Sequence, residues 1–222
     1  MCSMEELRQQ CQSCQLCGLG ATRKNLVFGD GNPDADVMFI GEGPGKQEDE
    51  QGIPFVGAAG QFLSRILEII DLDRSRYYIA NIVKCRPPKN RDPQAEEQDA
   101  CIPYLNDQIQ LVQPKIIVCL GRIAAARLIH DGYRITREHG TWSQQQGIWM
   151  TAFYHPSALL RDESKRPETF DDLRSLRAKI LEVCPEVYNQ CPLHWRTNQS
   201  KSRSPAGYSC SGCHWTPTMG KC

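Results

Sequence analysis

Apolar residues along this chain fall into short unbroken runs, separated by longer stretches in which they recur every three or four positions. Residues 36–40 (DVMFI), 77–83 (YYIANIV), 116–120 (IIVCL) and 149–153 (WMTAF) are runs of strand length, and the first and third stop at glycine. A short solid run bounded by glycine reads as a strand buried on both faces. Between the runs, Phe62, Leu63, Ile66, Leu67 and Ile70 make a helical stripe within residues 60–70. Residues 4–16, 94–112, 122–130 and 170–183 also read as helices, the second of them despite Pro103. Strands alternating with helices predict an α/β fold with a mainly parallel, four-stranded central sheet covered on both faces. Ligands of such sheets bind beyond the carboxyl ends of the strands. Asn81, the loop after Ile40 and His155 all fall there.

The pattern is lost after residue 184. Residues 185–222 are rich in Ser, Pro, Gly, Thr and Asn and poor in aliphatics, so they are expected to form a flexible tail behind a domain of residues 1–184.

A chain of 222 residues fits one ordinary domain, which can bury a core without help from metals or disulfides. Its net charge is zero, so only local basic clusters can favour nucleic acid. Residues 1–11 have no apolar run and no small-residue cleavage site, and no stretch is long enough to span a bilayer. A cytoplasmic protein with no membrane partner is expected. In that compartment the twelve cysteines read as metal ligands or buried thiols rather than bridges.

Cys14 and Cys17 form a C-x2-C pair, and Cys85 and Cys101 stand far downstream. Four thiolates so arranged suit zinc or an iron–sulfur cluster, and spacing alone does not choose. The alternative of unconnected core thiols fits poorly for Cys14, Cys17 and Cys85, whose neighbours are polar or basic. It fits Cys119, which lies inside an aliphatic run. Cys11 extends the pair to C-x2-C-x2-C and reads as a spare, and Cys2 and Cys184 read as bystanders.

The loop Gly41-Glu42-Gly43-Pro44-Gly45-Lys46 imitates two phosphate-binding motifs and fits neither. A P-loop needs glycine where Ile40 stands and Ser or Thr where Gln47 stands; a dinucleotide fingerprint needs glycine where Lys46 stands. Glu42, Glu48, Asp49 and Glu50 would also repel phosphate. A plain strand-to-helix turn with a solvated acidic face is the bland alternative. Against it stands the apolar segment Ile53-Pro54-Phe55-Val56-Gly57 directly behind the acids. Carboxylates beside an aromatic plate suit a flat ligand with polar edges that gains charge during reaction.

Three separated blocks, GEGPGKQEDEQGIPFVG from Gly41, NIVKCRPPKNRDP from Asn81 and HPSALLR from His155, closely resemble the family-4 uracil-DNA glycosylases. The resemblance runs from about Cys11 to Val183 without a large gap. It implies an α/β/α sandwich, a structural 4Fe–4S cluster on Cys14, Cys17, Cys85 and Cys101, and hydrolytic removal of uracil from single- or double-stranded DNA. It also implies roles. Phe55 would stack on the extruded base. Asn81 would read its Watson–Crick edge, since one amide both donates and accepts. Glu48 would stand near C5 and exclude a methyl group, and the Gly43 N–H would help bind the base. His155 would donate to O2 as the leaving uracil gains negative charge. Glu42 would position water or stabilise the oxocarbenium-like sugar. A related subgroup traps uracil-DNA covalently through a histidine in a basic insert. Residues 84–97 (KCRPPKNRDPQAEE) have neither histidine nor insert, so turnover rather than a covalent trap is expected; a monomer is expected as well.

Two basic clusters flank the expected pocket. Lys84, Arg86, Lys89 and Arg91 form one, and Arg161, Lys165 and Arg166 the other. Solvated surface charge is the default reading of such runs; their position favours phosphate contacts. Leu159 or Leu160 would wedge into the base stack. In the tail, Cys210 to His214 matches a C-x-x-C-H haem pattern without an export signal, and Cys191, His194, Cys210 and Cys213 suit a small zinc knuckle or nothing at all. Two rival functions remain open at this level: a cluster-bearing redox sensor, and a noncatalytic binder of uracil-containing DNA.

Overall fold

A computed structural model describes residues 3–188. Helix α1 (Met4–Gln12) opens on a capping box in which the Ser3 hydroxyl accepts from the Glu6 N–H and the Glu6 carboxylate accepts from the Ser3 N–H. There follow α2 (Leu19–Thr22), β1 (Asp30–Gly31), β2 (Val37–Gly41), α3 (Lys46–Gln51), α4 (Ala58–Glu68) and β3 (Tyr77–Asn81). The second half contains α5 (Ala95–Val112), β4 (Ile116–Leu120), α6 (Arg122–Leu128), α7 (Ile135–Glu138), β5 (Ser143–Gln145), β6 (Ile148–Phe153), α8 (Pro156–Arg161) and α9 (Arg166–Val183).

The sheet has six strands in the order β1-β3-β2-β4-β6-β5, two more than the sequence predicts. The four expected strands β3, β2, β4 and β6 are mutually parallel and form its centre. The added strands are short antiparallel edges, β1 on β3 and β5 on β6. Each has two or three residues, none of them buried, too few to show a period.

Alternation along the central strands divides the core into two layers. Met38, Ile40, Tyr78, Ala80, Ile117, Cys119 and Ala152 face one side and pack with Leu105 and Val112 of α5 and Ala124 and Ala125 of α6. Val37, Phe39, Tyr77, Ile79, Val118, Leu120 and Phe153 face the other and pack with Leu63 and Leu67 of α4 and Leu173, Leu176 and Ile180 of α9. This is the expected α/β/α sandwich, with period-two strands joining two apolar helix layers. Cys119 is fully buried among aliphatic neighbours, as its place in the run predicts.

The folded unit continues past residue 184. Pro185–Tyr188 makes a 3₁₀ turn, Val187 is buried, and the Val187 carbonyl accepts from Arg76 Nη1 at 3.0 Å. Cys184 is a core residue that stands apart from the other cysteines' cavity, in line with its reading as a bystander to them. The haem-like and zinc-knuckle patterns between Cys191 and His214 lie outside the described residues, as does Cys2. No helix among the described residues is long and apolar enough to cross a membrane.

Candidate active site

The chain leaves β2 toward β3 on one side and reaches β4 on the other, so the strand order reverses beside β2. A crevice opens at such a switch point, outside the carboxyl ends of the strands. Here it is a cavity of about 550 Å³ whose wall includes Glu42, Glu48, Phe55, Asn81, Asp92 and His155. Gly43, Arg91 and Arg161 also reach it. Residues from separate blocks of sequence therefore converge on one place.

Asn81 ends β3, in register with Gly41 of β2. Its side-chain oxygen is buried and accepts no hydrogen bond. Such an acceptor costs roughly 1–3 kcal/mol of stability. Held at a cavity wall, it is an open position for a donor. Gly41 is what lets the groups gather: a Cβ there would stand 2.5 Å from Asn81 Oδ1 and 2.6 Å from Phe55 Cζ.

Phe55 adopts a left-handed backbone, φ +57°, which is strained for a residue with a side chain. The Glu48 carboxylate holds the turn that follows: its Oε1 accepts from Val56 N at 3.1 Å and Gly57 N at 2.8 Å. This sets a carboxylate just before the start of α4 and fixes the turn that carries the aromatic plate. The acidic run therefore divides its labour. Asp49 is buried and accepts from Lys24 N at 2.8 Å, and Glu50 pairs with the Lys24 ammonium, so neither serves the pocket.

His155 precedes α8 and caps it, its Nδ1 accepting from Ser157 N at 3.2 Å. A nitrogen that accepts from a backbone N–H carries no proton, so the neutral ring bears its proton on Nε2. Burial, helped by the Arg161 charge, pushes the imidazole pKa down to about 4, with Glu48 opposing. The ring is thus a neutral donor across the physiological range. Its centroid lies 6.1 Å from that of Phe55, with 35° between the planes. Gly121, at φ +93°, lets the ring approach: a Cβ there would stand 2.9 Å from the Cβ of His155.

Glu42 faces the same cavity. Burial first, then the neighbouring Asp92 carboxylate, raise its pKa to about 7, against the pull of Arg122. Asp92 is itself paired with Arg122 at 2.7 Å. Neither Asp92 nor Arg122 is evident as a site residue from sequence, because each sits in a stretch that reads equally well as exposed surface. Tyr154 also lines the cavity, and its only earlier signal is its place beside His155.

The basic clusters need one correction. Lys84 is not a surface cation; it is 1 % exposed, and its ammonium donates to the Asn81 carbonyl at 2.8 Å and to Gln108 Oε1 at 2.5 Å. The chain turns inward after β3, so this lysine lies among core residues and reaches no phosphate. Lys89 is exposed, Arg86 donates to Asn90 at 2.7 Å, and Arg91 forms a two-pronged pair with Glu97. On α8, Leu159 is buried and Leu160 is 41 % exposed, so only Leu160 is available to contact a ligand. Lys165 and Arg166 pair with Asp162 and Glu163.

A second, smaller cavity is lined by Cys11, Cys14, Cys17, Cys85 and Cys101, with Arg23, Lys84 and Tyr104. All five thiols are free. Arg23 Nη1 approaches Cys85 Sγ at 3.1 Å, and the Lys84 N–H donates to Cys101 Sγ at 3.3 Å. Burial raises the thiol pKa values of Cys11, Cys85 and Cys101, with Lys84 pulling down on the first and last and Arg23 on Cys85. Cys11, read as a spare, joins the group, although it also packs on Leu7 and Phe28. Among the described residues, no three His, Cys, Asp or Glu side chains converge as the ligands of a single ion.

An aromatic plate, an unpartnered amide acceptor and an imidazole donor, set at the switch point of a parallel sheet, define a pocket for a flat heterocycle. Residues 28–177 match the model of the Uracil DNA glycosylase superfamily. The chain is 40 % identical to the Type-4 uracil-DNA glycosylase of Sulfurisphaera tokodaii, the match covering 85 % of this chain and 89 % of the relative. It is 40 % identical to that of Archaeoglobus fulgidus over 82 % and 94 % of the two chains. For that of Thermotoga maritima the values are 42 %, 80 % and 94 %. The chain belongs to the uracil-DNA glycosylase superfamily.

Proposed function

We propose that this chain is a monofunctional uracil-DNA glycosylase that hydrolyses the N-glycosidic bond of an extruded uracil and leaves an abasic site for repair. The observation that carries the reading is the buried, unpartnered Oδ1 of Asn81 beside the Phe55 ring. Uracil presents an N3–H donor to such an acceptor and an O4 acceptor to the amide NH₂. Cytosine reverses both, leaving buried polar groups unpaired, which discriminates far more strongly than shape. Phe55 stacks on the base, and the Gly43 N–H and Glu48 complete its edge contacts. Glu48 would stand against C5 while holding the Phe55 turn.

When the N1–C1′ bond breaks, its electron pair leaves with the base as a uracil anion. The Nε2–H of His155 donates to O2, where that charge develops, acting as an oxyanion hole. Glu42 accepts a proton from the attacking water, whose oxygen adds to C1′. Burial first, then Asp92 against Arg122, set its basicity. The active form is the carboxylate, so kcat/KM should rise with pH through about 7, and Glu42→Gln should remove that limb. A pH profile with no inflection between 6 and 8, on the order of a unit either side of that pKa, would contradict the assignment.

Cys14, Cys17, Cys85 and Cys101 would hold a 4Fe–4S cluster. The donor chemistry fits: five thiols share one cavity with two cationic side chains, and two N–H groups already point at sulfur. A polynuclear centre spreads its thiolates over several metal atoms and does not need them at one point. When bound, the cluster would supply structural cross-linking between the loop that joins α1 to α2, helix α5 and the segment after Asn81.

The DNA strand would cross the pocket mouth between Arg86, Lys89 and Arg91 on one side and Leu160 and Arg161 on the other. Lys89→Ala and Arg161→Ala should each lower the slope of log binding constant against log salt by about one. Unchanged slopes in both variants would remove these residues from the interface. The function itself is tested by incubating the protein with a uracil-containing oligonucleotide and then with alkali. Cleavage at the uracil is expected; intact strands would leave a binder or a redox sensor instead.

A further inference from the structure

Lys84 poses a charge problem that the proposed chemistry leaves unanswered. It is 1 % exposed, yet among the described residues it forms no ion pair with a carboxylate; its ammonium contacts only the Asn81 carbonyl and the Gln108 side chain. A buried ammonium with neutral partners alone is costly, and proteins keep one where an opposite charge lies nearby. The acidic side chains of the cavity that Lys84 lines are the thiols of Cys11, Cys14, Cys17, Cys85 and Cys101. The Lys84 backbone N–H donates to Cys101 Sγ. Gln108 anchors the other end, donating to the Phe28 carbonyl at 3.0 Å and the Tyr78 hydroxyl at 3.2 Å.

We propose that Lys84 is the internal counter-cation of the cysteine centre and the positioning residue that ties this centre to Asn81. One side chain then does two things. Its charge offsets the thiolates, and its N–H donors hold the carbonyl of the residue that reads the base. Loss of the centre would leave an uncompensated cation behind Asn81, so assembly of the centre and recognition of uracil are coupled. The inference rests on the cluster and the uracil-reading role proposed above.

The test uses the full chain purified with its metal. Lys84→Met keeps the stem and removes the charge. Its bound centre should become harder to reduce, so that its midpoint potential moves down, and it should lose visible absorbance faster in chelator. Its kcat/KM on uracil-DNA should fall about tenfold, the value of one charged hydrogen bond. Should that variant not fold, Gln108→Glu places a carboxylate on the same ammonium with little change of shape, and the potential should move in the same direction. A wild-type potential and bleaching rate in whichever variant folds would overturn the proposal, as would a wild-type protein purified with no iron. Its failure is distinct from that of the glycosylase reading: a wild-type protein that leaves uracil-DNA intact defeats the function, whereas an active wild type with an indistinguishable Lys84→Met defeats only the coupling.

Discussion

An Asn81→Ala protein is expected to excise uracil about a thousandfold more slowly than the wild type, with no loss of melting temperature. The activity term follows from the two hydrogen bonds proposed between Asn81 and the base edge, each contributing roughly 1.5–3 kcal/mol in a water-excluded pocket. The stability term follows from the same atom. Asn81 Oδ1 is buried without a partner, so the native fold already carries its desolvation cost, and truncation removes that cost while opening a small cavity. A residue kept for packing would behave in the opposite way, losing stability first. Single-turnover cleavage and a thermal melt on one preparation separate the two. A variant that melts early and keeps its specific activity would show that Asn81 is structural.

His155→Ala should lower kcat about 100- to 1000-fold, the usual loss when one donor to a developing anion is removed. Its pH dependence is the sharper readout. Burial holds the wild-type imidazole pKa near 4, so the neutral, Nε2-protonated ring persists from about pH 5 upward. His155 therefore adds no acid limb above that range, and on the proposed mechanism the limb near 7 would belong to Glu42. The alanine variant should keep that limb while losing rate at every pH. If instead the limb near 7 vanishes with His155, the two roles are interchanged. The Nδ1 hydrogen bond to Ser157 N also caps α8, so a melt must accompany the kinetics; loss of a cap costs about 1 kcal/mol.

The central sheet was legible because its four strands are solid apolar runs, and their carboxyl ends told where a ligand would sit. Asn81, His155 and the loop after β2 stand there in the structure. Short edges were illegible: Asp30–Gly31 and Ser143–Gln145 have no period to read. Lys84 was misplaced for a related reason. Past the end of β3 no alternation remains, so nothing in KCRPPK tells the inward lysine from the outward ones. A single turn of helix decided Leu159 against Leu160, since only the folded α8 says which of two adjacent leucines faces the core. Among the four acids after β2, sequence alone does not reveal that Asp49 clasps the Lys24 backbone while Glu48 grips the turn behind Phe55.

The side chains missing at Gly41 and Gly121 limit how this pocket can change. Where atoms of Asn81, Phe55 and His155 crowd against bare main chain, there is nothing left to trim. A larger base cannot be admitted by swapping a bulky wall residue for a small one at these positions, because the wall is already backbone. Any addition there closes the site. Extra room beside these two positions must therefore come from shifting whole loops relative to the sheet, and libraries that vary loop length after β2 or β4 should yield altered selectivity where substitutions at Gly41 and Gly121 return only slower enzymes.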